Sequence, residues 1–339
     1  MKPWKVTLPA MAVLVITIPA GYSQKLNAAG ASFPGPIYQK WFGEWHKVHP
    51  EVEINYAPVG SGAGIRHLTE GTVDFGASDM PLKDDQIAAL KVRTFHFPTV
   101  LGAVVLTYNI PGVTASLKLS PQVIAGIFMG TIAKWNDKAL AADNPGVKLP
   151  ADEIVPVHRS DASGTTFVFT DYLAKVSPDF KNKVGADTKV KWPVEGLNGN
   201  QNPGVMGLVK QTPDSIGYVE LTFAVQNKLP YADIKNSAGN WVKPSNESVT
   251  AAAASEAKKM PEDFRVSITN ASGKDAYPVS TYTYMLIPSK FGDPAKGKVM
   301  KDFLKWMLTD GQKEVAAIDY APLPAAVVAR EEKQLAMVQ

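Results

Sequence analysis

The chain has 339 residues, 45% apolar and 20% charged, which allows two folded domains and excludes a disordered protein. It has no cysteine, so disulfides, thiolate metal sites, a cysteine nucleophile and a lipid-modified cysteine anchor are excluded. The net charge is +3, and +1 without the first 23 residues, so electrostatics make no case for nucleic acid or anionic lipid as partner.

Residues 1–23 read as a secretory signal. Lys2 and Lys5 precede the apolar stretch Leu8 to Ile18, and Ala20-Gly21-Tyr22-Ser23 offers a small-residue cleavage region. The stretch is too short to span a bilayer comfortably. The expected destination is the bacterial periplasm. A helix is predicted from Pro34 to about Val48, with Ile37, Tyr38, Trp41, Phe42 and Trp45 on one face and Pro50 behind it. An alternating strand, Glu51 to Ala57, leads into Gly60-Ser61-Gly62-Ala63-Gly64 and a short helix carrying Ile65 and Leu68. Val73 to Asp79 reads as a buried strand with a polar tip. This alternation predicts an α/β fold with mostly parallel sheet. Phe97 to Leu106 is a long extended run, either a core strand or a crossover between lobes. Ser120-Pro121 opens a helix that Gly130 closes, and Trp135 follows in a turn. Phe167 to Val176 reads as a helix. Residues 196–204 read as a loop, with Pro203 opening a helix that carries Val205, Leu208 and Val209. Gly217-Tyr218-Val219 resumes a strand. Lys235 to Pro261 reads as polar surface. Tyr277 to Pro288 is a second long extended run, open to the same two readings. Lys298 to Leu308 is amphipathic through Val299, Met300, Phe303, Leu304 and Met307.

Three helix starts share one chemistry. Arg159-Ser160-Asp161-Ala162-Ser163-Gly164-Thr165-Thr166 puts hydroxyls, a glycine and a guanidinium before an apolar run. A helix start has unpaired N–H groups and the positive end of a dipole. Ser163 and Thr165 add O–H donors, and Arg159 adds a fork shaped for tetrahedral oxyanions. Ala29-Gly30-Ala31-Ser32-Phe33-Pro34 and the Gly60–Gly64 turn repeat the pattern. Each alone is more often a cap or a turn. Together they point to one shared anion. In open α/β sheets such ligands sit at the carboxyl ends of strands, where the first two motifs fall.

On these residues the chain resembles the periplasmic substrate-binding proteins of phosphate-specific ABC transporters. The matching pieces are Gly30 to Pro34, Gly60-Ser61-Gly62, Val73 to Asp79 with Pro81-Leu82, Phe97 to Val100, Ile127 to Gly130 with Trp135, Asp161 to Thr170, Val190 to Pro193 and Ile216 to Glu220. They come in family order over nearly the whole mature chain. The resemblance implies a type II periplasmic-binding-protein fold, two α/β lobes joined by a two-strand hinge with the ligand cleft between them. The expected division is 24–100 plus 283–339 for lobe I, 107–274 for lobe II, and 101–106 with 275–282 for the hinge. It implies phosphate contacts from Ser32, Phe33, Ser61, Asp79, Arg159, Ser163, Gly164 and Thr165, with Phe33 and Gly164 acting through backbone N–H. Asp161 is the acid expected to steady Arg159. The expected partners are inorganic phosphate and the membrane permease and ATPase pair of an importer; the protein is expected to be a monomer without cofactor or metal. Ser32 stands where threonine is common in the family, and Ala162 where glycine is common. His158 replaces a second basic residue beside Arg159 and could lend the rim a slight pH sensitivity.

On its own Asp79 reads more often as a turn-capping residue after a strand; given the resemblance, it is the residue expected to select among anions. A carboxylate facing a bare anion repels it. Phosphate near neutral pH still holds a proton that Asp79 can accept, whereas sulfate holds none. Enzyme readings fare worse. His158, Asp161 and Ser163 lie too close in sequence for triad geometry, and no nucleophile elbow surrounds Ser163. Only His46 and His49 share a helical face, which a solvated helix end explains. There is no Walker A sequence.

Overall fold

The computed structural model describes residues 24–339; the predicted signal segment, residues 1–23, lies outside them. In chain order the elements are β1 (Gln24–Gly30), α1 (Gly35–Val48), β2 (Val52–Ala57), α2 (Ser61–Glu70), β3 (Phe75–Ser78), α3 (Asp84–Ala88) and β4 (Thr94–Asn109). Then come β5 (Lys118–Leu119), α4 (Pro121–Phe128), α5 (Lys138–Asp143), β6 (Val155–Arg159), α6 (Gly164–Val176), α7 (Pro178–Lys183) and β7 (Leu197–Gly199). The chain continues with α8 (Gln201–Gln211), β8 (Ser215–Glu220), α9 (Leu221–Gln226), β9 (Asp233–Lys235), β10 (Trp241–Val242) and α10 (Asn246–Glu256). It closes with β11 (Ser280–Pro288), α11 (Pro294–Thr309), a 3₁₀ stretch over Gly311–Ile318 and α12 (Ala325–Leu335).

Eight strands form one sheet in the order β2-β1-β3-β11-β4-β8-β6-β7. The outer pairs are parallel: β1 with β2 and β3, and β6 with β7 and β8. The two central strands run antiparallel to their neighbours. A smaller sheet has the order β10-β9-β5.

The open question about the run near 97–106 resolves in favour of both readings. β4 is a 16-residue strand, about 50 Å long at the usual rise. Thr94 to Ala103 pair with β11, and Val104 to Asn109 pair with β8. One strand therefore serves both halves of the sheet. Its near-unbroken apolar sequence follows from being covered on both faces: every residue from Phe95 to Tyr108 is buried.

Each half has its own aromatic core. Tyr38, Trp41, Phe42 and Trp45 on α1 pack with Phe75 and Phe303 in one half. Phe128, Phe169, Trp192 and Tyr218 pack together in the other. On α11, Met300, Phe303, Leu304 and Met307 are buried as expected, whereas Val299 is only partly covered.

Three readings change, one being that residues 196–204, read as a loop, hold strand β7 and the start of α8. Lys235 to Pro261 is not all surface, since α10 buries Val249, Ala252 and Ala253. Small alanines pack a helix closely without producing a strong apolar stripe. Helix α8 begins at Gln201 rather than at Pro203. Proline is tolerated anywhere in a first turn, where N–H groups lack helical partners, so Pro203 need not mark its first residue.

Candidate functional site

The ends of β1, β3 and β6 and the starts of α2, α6 and α8 converge at the centre of the molecule. The fold brings the predicted anion motifs together there. Ser32, Phe33, Ser61, Asp79, Arg159, Ser163 and Thr165 are all buried, and Gly164 lies among them.

Arg159 closes β6. Its Nε donates to Asp161 Oδ1 at 2.8 Å and its Nη2 to Asp161 Oδ2 at 2.6 Å, a two-pronged pair. Nη1 donates to Thr165 Oγ1 at 3.2 Å. The Arg159 N–H is anchored on the Tyr218 hydroxyl at 3.1 Å, so the aromatic core fixes where the guanidinium starts. Gln201 N–H adds a 2.9 Å bond to Asp161 Oδ1. Burial pushes the Asp161 carboxyl up, but its bonds to Arg159, the Arg159 charge and the Gln201 N–H outweigh that and hold it below the usual range.

The hydroxyls are held in a common way. Ser61 Oγ accepts from Asp79 N–H at 3.3 Å and from Gly164 N–H at 3.1 Å. Ser32 Oγ accepts from the N–H and Nδ2 of Asn202 at 3.2 and 3.0 Å. Thr165 Oγ1 accepts from Arg159 and from Asn202 Nδ2. Ser163 Oγ accepts from Thr166 N–H at 3.1 Å, capping α6. A hydroxyl has one hydrogen and two lone pairs. Because these lone pairs meet N–H donors, each hydroxyl hydrogen remains to be given to a ligand. Among the described residues the Ser32 and Phe33 N–H groups have no protein acceptor either.

Asp79 is 1% exposed, just past the tip of β3. Thr283 Oγ1 donates to its Oδ1 at 2.8 Å. Its Oδ2 lies against Gly164, where an added Cβ would meet it at 2.6 Å and Ser61 Oγ at 2.4 Å. Only glycine lets the start of α6 come this close. Burial pushes the Asp79 carboxyl up to about 7; the Thr283 bond and the Arg159 charge pull it back only partly, and the Asp161 charge adds to the rise.

The walls meet across the cleft. Gly62 N–H donates to Ala162 O at 3.0 Å. Ala162, standing where glycine is common in the family, has no left-handed backbone and so no strain. Beside Ser32 a cavity of ≈ 350 Å³ opens outward between Pro36, Gln39, Gln201 and Phe223.

His158 does not make the rim pH-sensitive. It is buried and stacks on Trp192 with ring centroids 4.4 Å apart, and burial lowers its pKa to about 4. Asn202 and Thr283 are site residues that the sequence did not reveal. Asn202 sits in the first turn of α8, inside a stretch read as loop, and Thr283 is hidden in an apolar strand. The family resemblance points to Asp79, but no comparable signal marks these two.

Among the described residues no cluster of His, Cys, Asp and Glu could hold a metal ion. No helix among them is long and apolar enough to cross a membrane.

The chain was compared with known proteins. A family model described as a PBP superfamily domain matches residues 17–311. The phosphate-binding protein PstS of Xylella fastidiosa is 42% identical over 311 residues, 91% of this chain and 84% of that one. The phosphate-binding protein PstS of Haemophilus influenzae is 40% identical over 319 residues, 94% of each chain. Among solved structures, a high-affinity periplasmic phosphate-binding protein, PfluDING, bound with phosphate, is similar with a TM-score of 0.72 at 22% identity, covering 91% of this chain and 93% of that one. At that identity the likeness carries the fold, a two-lobed type II periplasmic-binding-protein architecture.

Proposed function

The chain belongs to the PBP superfamily and, within it, to the PstS phosphate-binding proteins, and from that premise we propose how its cleft works. It binds inorganic phosphate and delivers it to an ABC-type importer, without chemistry on the ligand. Ser32, Ser61, Ser163 and Thr165 give hydroxyl hydrogens. Phe33 and Gly164 give backbone N–H. Arg159 gives the Nη1–Nη2 edge of its fork in exchange for the Thr165 and Ser32 hydroxyl oxygens that it now meets at 3.2 and 3.5 Å, while Asp161 holds the other edge. A phosphate oxygen between Ser61 and Gly164 would accept from both, in exchange for the bond they now share.

The observation that carries this reading is Asp79. A carboxyl with one oxygen fixed by Thr283 and the other against a helix start is poorly placed for an anion without a proton. With phosphate, one proton lies between the carboxyl and the ligand, whichever brought it. Calorimetric titration with phosphate, sulfate and arsenate tests this. Phosphate is expected to bind and sulfate to fail at pH 8. Arsenate, similar in size and protonation, is expected to bind. Equal binding of sulfate and phosphate at that pH would overturn the reading.

Lobe I (24–100 plus 283–339) and lobe II (107–274) close on the ligand about the segments 101–106, within β4, and 275–282, which is strand only from Ser280. Only the closed form makes both sets of contacts, so phosphate selects it. The closed form then docks as a monomer on the permease that its cytoplasmic ATPase pair drives. Residues 1–23 direct export to the periplasm.

A further inference from the structure

Glu220 is fully buried at the end of β8, opposite Val104 of β4. Its Oε2 accepts the Thr222 N–H at 3.0 Å and lies 3.2 Å from the Tyr320 hydroxyl. Its Oε1 lies 3.2 Å from Thr222 Oγ1. Both hydroxyls also face carbonyls. Tyr320 Oη is 2.6 Å from Phe33 O, and Thr222 Oγ1 is 2.9 Å from Ile318 O.

Four close O···O contacts thus share only two hydroxyl hydrogens. Carbonyls cannot donate, and they sit at the shorter distances, so both hydrogens go to them. An ionised Glu220 would then turn both oxygens toward hydroxyl lone pairs, with a single N–H to answer its charge. A hydrogen on the carboxyl satisfies one of these two contacts, being given to Tyr320 or to Thr222, and takes the negative charge off the other.

We propose that Glu220 is a positioning residue that holds a proton at neutral pH and uses it to clasp the two lobes and fix the main chain of Phe33. The inference rests on the phosphate reading for the role of Phe33 and on the proposed lobe division for the clasp. Glu220 and Thr222 belong to the second lobe, while Phe33, Ile318 and Tyr320 belong to the first. The clasp therefore joins the lobes at the point where Phe33 turns toward the ligand. The titratable groups facing Glu220 are Tyr320 and, beyond it, Asp319; on β4 it pairs with Val104 and its Oε1 lies near Gly102, neither of them titratable, and Asn202 Oδ1 accepts its N–H at 3.0 Å. Burial raises its carboxyl well above the usual range, outweighing the contacts with Thr222 and Tyr320 that pull it down, and the nearby Asp319 charge adds to the rise.

Glutamine imitates the protonated acid, since its amide donates where the carboxyl hydrogen would. The ligand-free protein and Glu220→Gln are compared by infrared difference spectroscopy at pH 7. A protonated-carboxyl C=O band present in the native protein and lost in the variant is expected. Phosphate titration should find Glu220→Gln within about threefold of native and Glu220→Ala weaker by about tenfold or more. Absence of that band, or a Glu220→Gln as weak as Glu220→Ala, would overturn the proposal. The infrared arm needs no ligand, so a failure of phosphate binding by the native protein would be seen separately.

Discussion

Asp161 and Asp79 border the same cleft, and the fold drives their protons in opposite directions. Asp161 meets a guanidinium edge-on and a backbone N–H, and stays ionised. Asp79 meets one hydroxyl and a tight helix start, and its pKa rises to about 7. Two groups of the same chemistry thus acquire different tasks from their surroundings. Asp161 is consumed in holding Arg159. Asp79 has one oxygen bonded to Thr283 and the other is the one proposed to share a proton with the ligand.

The comparison breaks most completely at the ion pair. Arg159→Met leaves Asp161 buried without its cation, the costly way to split such a pair, at about 3–5 kcal/mol. Phosphate affinity should fall by about a thousandfold in calorimetry, with a lower melting temperature. Retention of affinity would mean that the hydroxyls and N–H groups suffice. Asp161→Asn, which leaves the cation and half of the bonding, should do less damage.

The second test reads Asp79 through folding alone. Its pKa is about 7 in the folded protein and 3.8 for the free group, so between these values the folded form binds the extra proton. Stability therefore falls as pH rises from about 4 to about 7 and levels off above. The shift corresponds to at most about 4 kcal/mol. Denaturant titration of ligand-free protein across that window should show the slope, and Asp79→Asn should reduce it. Asp161, held low, contributes the opposite trend only at lower pH, below its ordinary range.

The third test sharpens the comparison by turning one acid into a donor. Asp79→Asn offers an N–H where the carboxylate stood, so sulfate binding at pH 8 should rise by about a hundredfold while phosphate weakens. The same logic applies to the native protein. Below about pH 7 a protonated Asp79 can donate to sulfate, whose binding should climb toward lower pH. Sulfate rejection that is unchanged in the variant and flat with pH would remove Asp79 from the selectivity argument.

How far the sequence announced this site depends on residue type and position. Asp161, Ser163 and Thr165 stand in one motif at a helix start, and such local chemistry is legible. Asp79 entered through the family resemblance, because an Asp after a strand is by itself more often a turn cap. Asn202 was not, because α8 opens with Gln201, Asn202, Pro203 and Gly204 before its first apolar residue. Thr283 and Glu220 lie in strands whose pairing is nonlocal; Thr283 is 204 residues from Asp79. The α/β alternation and the two long extended runs were readable. The sharing of β4 between two partners was not, because an apolar strand covered on both faces names no neighbour.

The smallest expected effect concerns salt. The buried pair Arg159–Asp161 is shielded from counterions, so the phosphate dissociation constant should change by less than about threefold between about 0.05 and 0.5 M sodium chloride. A different pair of bridges is open to screening. Lys83 meets Asp187 at 2.8 Å and Arg265 meets Asp84 at 2.6 Å, in both cases between the two proposed lobes and at the surface. Exposed bridges contribute about 0–1 kcal/mol each, and salt removes much of that. Whatever salt dependence remains should therefore come from closure rather than from the ligand's charge. Lys83→Gln combined with Asp84→Asn, which removes both bridges, should flatten it while leaving affinity at high salt unchanged, and Lys83→Gln alone should remove part of it. A steep dependence that persists in the double variant would place the screened charges at the anion itself, and the contrast between a sealed ion pair and open bridges would fail.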